Sequence, residues 1–210
     1  MEFHRITCTD DPALGAFWHM YECSFPPQER RSWEKQSAIL SDSAYYCLAV
    51  MSSFAHGKPH EKKNSAETGS TPAPVGLFCF WRFPEICYLE HLAVHPDRRS
   101  AGIGGKILQA WIKRYGDLAG LTVLEIDPPV TDIALRRKGF YERNGFVFNG
   151  GKTGLFMHPS YTKTPRYHPL CLMSLGRPMN EEDRRVFDDV ALRRVLKYDG
   201  PPYDGPVQVF

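Results

Sequence analysis

Residues 90–108 read EHLAVHPDRRSAGIGGKIL, passing from an apolar, strand-like run through two arginines and three glycines into a helix-like run. A glycine-rich turn that opens a helix suits an anion, because free backbone N–H groups and the positive end of the helix dipole converge there. The dipole alone supplies about 0.3–1 kcal/mol, so converging hydrogen bonds must do most of the binding. Two common anion loops do not fit. A nucleotide P-loop needs G-x-x-x-x-G-K-[ST], but Ser100 stands where its first glycine belongs and Ile107 follows Lys106. The dinucleotide fingerprint G-x-G-x-x-G takes Gly102 and Gly104 but meets Ile107 at its third glycine, and a strand meander precedes it instead of a βαβ unit.

Upstream, residues 44–54 (AYYCLAVMSSF), 74–83 (PVGLFCFWRF) and 86–94 (ICYLEHLAV) carry the aromatic and β-branched composition of strands, with Pro84 and Glu85 as a turn. They read as an antiparallel meander with a long first connection. That connection, residues 55–73, has few large apolar side chains and is expected to be a flexible loop. Asp11 and Pro12 open an amphipathic helix, and a second helix is expected from near Pro27. Downstream, Ile107, Leu108, Trp111, Ile112 and Tyr115 fall on one helical face that ends at Gly116. LTVLEI (121–126) follows as a strand, and TDIALRRKGFYER (131–143) as a helix capped by Thr131 and stopped at Asn144-Gly145. GFVFNG (145–150) and PLCLMSL (169–175) add two strands around a Tyr- and Pro-containing excursion over 151–168. The fold class is α+β, a mixed, mostly antiparallel sheet flanked by helices, in which the helical crossover from 94 to 121 implies one parallel pair. The principal domain is expected over 1–176, with a helical extension over 177–210 packed on it or trailing it.

Arg99-x-x-Gly102-x-Gly104 after a strand ending in Val94 resembles the acyl-CoA loop of the GNAT family of N-acetyltransferases, and KGFYERNGF (138–146) resembles that fold's late helix and following strand. The strong resemblance covers 74–148, and the order of elements extends it loosely over 1–176. It implies a GNAT-like acyl-CoA N-acyltransferase fold with acetyl-CoA as co-substrate. Backbone groups of Leu92, Ala93 and Val94 would pair with the pantetheine arm as an added strand. Arg99, Ser100, Ala101, Gly102, Ile103, Gly104, Gly105 and Lys106 would surround the pyrophosphate. Tyr141 aligns with the tyrosine that in many members hydrogen-bonds the CoA sulfur and protonates the leaving thiolate. Ala134 stands where the family often has an asparagine for the pantetheine, so Arg136 or Arg137 is left to meet a phosphate.

A lysine-like amine with a pKa near 10.4 is neutral to about one part in a thousand at pH 7, so attack on a thioester needs a general base. Glu90 is the candidate, mid-strand, on the face expected to hold Tyr88, Leu92 and Val94, where burial would raise its pKa. His91 is expected on the opposite face. The resemblance implies direct attack by the amine in a ternary complex, flanked on the acceptor side by residues such as Phe25, Glu29, Trp33, Phe156 and Tyr161. The alternative is a non-catalytic acyl-CoA-binding sensor or structural module.

Composition bounds the partners. Twenty-six Lys and Arg against 24 Asp and Glu give a net charge of +2, too balanced for a nucleic-acid or membrane surface, so neither partner is expected. The eight histidines and six scattered cysteines show no metal-ligand spacing, and no metal is expected. The N-terminus MEFHRITCTD lacks a basic and apolar leader, which reads as cytoplasmic. A small-molecule amine is favoured over a protein acceptor because no long charged groove is evident, and a homodimer stays open.

Overall fold

The structure, a computed structural model, describes residues 1–51, 74–116, 120–164, 166–200, 203 and 205. The loop expected over 55–73 lies outside the described residues. In chain order the elements are β1 (Glu2–Ile6), α1 (Leu14–Ser24), α2 (Trp33–Ile39), β2 (Tyr45–Met51), β3 (Gly76–Arg82), β4 (Ile86–Val94), α3 (Ile103–Tyr115), β5 (Leu121–Ile126) and α4 (Asp132–Arg143). There follow β6 (Phe146–Phe148), the short α5 (Gly151–Gly154), β7 (Leu155–Pro159), β8 (Tyr167–Leu175) and α6 (Glu181–Asp189), which runs into a π-helical segment, Val190–Val195.

All eight strands join one sheet in the order β1-β2-β3-β4-β5-β8-β6, with β7 also on β8. The meander β2-β3-β4 is antiparallel, and β4 with β5 is the parallel pair that the α3 crossover requires. Apolar side chains alternate across the sheet and build a core on each face. One face packs Phe17 and Tyr21 of α1 against Trp81, Tyr88 and Phe187. The other packs Leu108 and Trp111 of α3 against Phe78, Phe80 and Leu124, with the Phe78 and Trp111 rings stacked at 5.3 Å. Each such buried side chain contributes about 1.5–3 kcal/mol, so the two cores dominate stability. Among the described residues no helix is long and apolar enough to cross a membrane.

Three local expectations need correction. α1 starts at Leu14, because the Asp11 carboxylate accepts the Ala13 N–H (2.9 Å) and forms a turn before the helix instead of capping it at Pro12. The second helix starts at Trp33, after a 3-10 turn at Pro27–Glu29, because Ser32 accepts the Lys35 N–H there. The excursion over 151–168 contains β7, which pairs with β8 from Leu155↔Cys171 to Pro159↔Tyr167. β1 was not anticipated; its five residues are mostly exposed and carry little hydrophobic signal.

What positions the site is an irregularity in β4. Cys79 pairs with His91 but Phe80 pairs with Leu89, so Glu90 is the extra residue of a β-bulge. The β4–β5 pairing runs only from Ile86↔Leu121 to Leu89↔Leu124. Past the bulge the two parallel strands part, and no strand among the described residues pairs with the β5-facing edge of residues 90–94.

Candidate active site

A cleft of about 650 Å3 opens where β4 and β5 separate. Leu92, Ala93, Val94, Arg99, Gly104 and Tyr141 line one end, and Glu29, Glu90, His91, Glu125, Asp127, His158, Tyr161 and His168 line the other. Of the residues expected from the sequence to hold acyl-CoA, Ser100, Ala101, Gly102, Ile103, Gly105 and Lys106 are not cleft-lining and form the turn and helix start beyond its rim.

The first end is built of backbone. The free edge of Leu92–Val94 can accept an extended chain as an added strand. The chain then turns through Pro96–Arg98, and the Arg99 Nε donates to the Val94 carbonyl (3.2 Å), pinning the loop to the strand end. Ser100 and Gly102 adopt positive φ, 65° and 69°, which folds successive N–H groups toward one side. The first helical bond runs from the Lys106 N–H to the Gly102 carbonyl (3.2 Å), so the N–H groups of Ile103, Gly104 and Gly105 lie ahead of the α3 ladder. A Cβ on Gly104 would meet Val94 Cγ2 at 3.5 Å and Phe140 Cζ at 3.6 Å, ordinary contacts. The protein's own packing does not demand glycine at 104. Edge, turn and helix end together fit the arm and pyrophosphate of acyl-CoA.

The second end is built of buried side chains. The Glu90 carboxylate lies 2.6 Å from Arg31 Nη2, and both side chains are only 4% exposed. It also accepts from Trp81 Nε1 (3.2 Å) and the Tyr161 hydroxyl (3.4 Å). Burial would raise its pKa, but Arg31 opposite and His91 beside it hold it well below the usual carboxylate range. The expected upward shift is therefore corrected: the sequence showed the burial and not the arginine, which arrives from the loop before α2. The expected facing is corrected too. The bulge puts Glu90 and His91 on the same face, with Nδ1 of His91 3.7 Å from Oε2 of Glu90, while Leu92 and Val94 join the core on the other face. His91, which burial would push down, is raised by Glu90, and its Nε2 reaches the Glu29 carbonyl at 3.0 Å.

Glu125, on β5, has the opposite environment. No lysine or arginine pairs with it among the described residues, and His158 Nε2 lies 4.0 Å from its Oε2. Burial raises its pKa to about 8, the nearby Tyr88 hydroxyl lowering it and the charges of Glu90 and Glu29 adding to the rise. His158 is itself driven down to about 3 by burial and by His168, so it is neutral. Tyr141, on α4, packs its ring edge-on against Phe140 and Phe146, and burial pushes its hydroxyl up to about 12. It therefore keeps its proton throughout the physiological range.

Arg31, Glu125, His158 and His168 escaped the sequence reading. Glu125 carried a signal, since it is the lone acid in the apolar run LTVLEI; Arg31, in a run of charged residues, carried none.

Comparison with known proteins agrees with this geometry. Residues 66–148 match a family model described as an acetyltransferase (GNAT) domain. Among curated proteins none matches the chain in sequence. A solved GNAT-family protein from Bacteroides thetaiotaomicron is 25% identical, with a TM-score of 0.72 over 90% of this chain and 97% of its own. A variant of the spermidine N-acetyltransferase from Vibrio cholerae shares the fold at 12% identity and TM-score 0.54, covering 83% of this chain and 94% of its own. The NatC complex bound to Gag peptide and CoA does so at 14% identity and TM-score 0.53, covering 85% and 98%. The strand edge, the glycine turn and the match over residues 66–148 concur on a GNAT acetyltransferase domain in that part of the chain, and the chain as a whole has the fold of the solved GNAT-family protein.

Proposed function

We propose that the protein transfers the acetyl group of acetyl-CoA to the primary amine of a small molecule by direct attack in a ternary complex. The observation that supports this most is the continuity of the cleft: a helix start after a glycine turn leads along an open strand edge to a buried carboxylate that no lysine or arginine among the described residues pairs with.

When bound, acetyl-CoA supplies an activated acyl group and a thiol leaving group. The N–H groups at the start of α3 hold its phosphates, and Leu92–Val94 align its arm by strand pairing. Glu125 acts as the general base. An ordinary carboxylate lies roughly six units below an amine at 10.4, an uphill proton transfer of about 8 kcal/mol. At about 8, Glu125 narrows that gap to a cost of about 3 kcal/mol, whereas the Arg31-paired Glu90 widens it. Glu90, the base expected from the sequence, instead fixes Arg31, Trp81 and Tyr161 around the acceptor end. Tyr141 keeps its proton and donates it to the departing sulfur.

The fold likeness extends to proteins of both acceptor kinds, a spermidine acetyltransferase and a peptide-bound complex. The preference for a small acceptor therefore rests on this chain. The Tyr161 N–H donates to the Gln28 carbonyl (3.0 Å), which ties the turn after β7 to the turn before α2 across the acceptor end. A protein segment would have to thread beneath that tie.

Calorimetric titration of acetyl-CoA and CoA into wild type and Gly104→Glu tests the reading, followed by thiol release with an amine panel. Micromolar binding lost in the variant, with turnover by wild type, is the expected result. Absence of binding by folded wild type would overturn the acetyltransferase reading; binding without turnover of any amine would favour the non-catalytic acyl-CoA sensor.

A further inference from the structure

The acceptor end of the cleft holds more negative charge than the base alone explains. Four carboxylates line it: Glu29, Glu90, Glu125 and Asp127. Two are matched within the protein, Glu90 by Arg31 at 2.6 Å and Asp127 by Arg137 at 2.5 Å. The other two, Glu29 and Glu125, make no ion pair with a lysine or arginine among the described residues. They come from different elements, Glu29 from the turn before α2 and Glu125 from β5.

Glu29 is held in place by backbone bonds. Its carbonyl meets His91 Nε2 (3.0 Å), its N–H donates to the Pro26 carbonyl (2.9 Å), and the neighbouring Gln28 carbonyl takes the Tyr161 N–H. Phe25 and Tyr161 line the same cleft and bring aromatic surface to it. The cleft floor also carries polar atoms that point to a ligand. The Tyr88 hydroxyl and the Glu125 carboxylate, near each other, and His158 Nδ1, which has no hydrogen-bond partner among the described residues, are buried and line the cleft. Tyr88 is 1% exposed and His158 5%. A buried carboxylate without a countercharge either takes up a proton, as Glu125 does below about pH 8, or needs a cation, and one bound ammonium can pair with only one of the two.

We propose that the acceptor is a dication, such as a diamine, whose reacting amine sits beside Glu125 while its second ammonium or guanidinium pairs with Glu29. This rests on the amine-acetyltransferase reading for the identity of the reacting group but not for the existence of the site. The apolar stretch between the charges lies against Phe25 and Tyr161. Amines that also carry a free carboxylate are poor ligands, because they bring a negative charge against Glu29.

The test is calorimetric titration of straight-chain diamines of three to eight carbons, and of the monoamine of each length, into wild type and Glu29→Gln, with and without CoA. The amide is isosteric, and an unchanged melting temperature and unchanged CoA titration establish that the variant is folded. Expected is that at least one diamine binds wild type about tenfold or more tighter than its monoamine, as one further partly buried ion pair provides, and that Glu29→Gln removes the gap while leaving the monoamine unchanged. Equal binding of diamine and monoamine, no diamine binding at any length, or a gap that survives Glu29→Gln would each overturn the proposal. If instead the diamine gap appears but no acetyl-CoA binds, the dication site stands and the acetyltransferase reading fails.

Discussion

The two ends of the cleft solve opposite problems by opposite means. At the end proposed for the phosphates the groups on offer are backbone groups on an exposed turn, ordered by two positive φ angles and a helix start. At the acceptor end they are buried side chains drawn from six places in the chain: the loop before α2, β3, β4, β5, β7 and β8. A backbone site is indifferent to most side-chain chemistry and sensitive to any Cβ that fills its space. A buried ionic site is indifferent to small volume changes and sensitive to each charge. The sharpest tests are those that make the two ends respond differently.

The largest effect belongs to the Arg31–Glu90 pair. Arg31→Met strands a buried carboxylate and should cost about 3–5 kcal/mol in chemical denaturation at pH 7, while Arg31→Met/Glu90→Gln recovers most of it. Because the folded pKa of Glu90 is depressed, its contribution is present above the ordinary value near 4.5 and lost as pH falls below it. The penalty of Arg31→Met should therefore shrink at pH 4 and below. Equal losses in the single and double variants would mean that the pair acts through packing and not through charge.

The next effect separates the two carboxylates. Glu125→Gln should lower kcat about 10²- to 10³-fold at pH 8 with acetyl-CoA affinity within about twofold of wild type. Its stability effect has the reverse sign. A raised folded pKa gives stability that is full below about 4.5 and lost as pH rises to about 8, so the amide is more stable than wild type at pH 8 and not at pH 4. Wild-type kcat should rise with pH through about 8, and Glu125→Gln should flatten that rise. A profile that keeps its inflection in Glu125→Gln but loses it in Glu90→Gln would return the base to Glu90. Tyr141→Phe comes below these, at about 10- to 100-fold in kcat, because water can still protonate the sulfur.

This difference between the ends also explains what the sequence could tell. Arg99, Gly102, Gly104 and the helix beginning at Ile103 lie within a few residues of one another, and their geometry follows from local rules, so the glycine turn and the helix start were legible. The meander, the parallel crossover and the Thr131 cap followed from periodicity and capping in the same way. The acceptor end was legible only as single residues. Glu90 was found, but strand alternation was carried through a bulge, so His91 was put on the face opposite Glu90 and Leu92 and Val94 on the same one, the reverse of what the structure holds. A bulge leaves no composition signal in ICYLEHLAV, because it is set by the partner strand. Arg31 and His158 reach the site from elements 59 residues before and 68 after Glu90, and β7 was read as an excursion. A pKa depends on the partner as much as on burial, and the partner is a tertiary fact.

The smallest effect is the most pointed, because it should move stability and binding in opposite directions at the backbone end, as Glu125→Gln moves stability and chemistry at the other. Gly104 lies inside the first turn of α3, where alanine is preferred by about 0.5–1 kcal/mol. Its added methyl would meet only ordinary contacts from Val94 and Phe140. Gly104→Ala should therefore be slightly more stable than wild type by thermal melting. The same methyl occupies space at the N–H groups ahead of the helical ladder, where a pyrophosphate must come close, so acetyl-CoA affinity should fall by about tenfold. If the variant gains stability and keeps its affinity, the phosphate lies farther from α3 than the turn suggests, nearer Arg99 and the end of β4. If it loses both, the turn itself has moved, and glycine at 104 answers to the fold and not to the ligand.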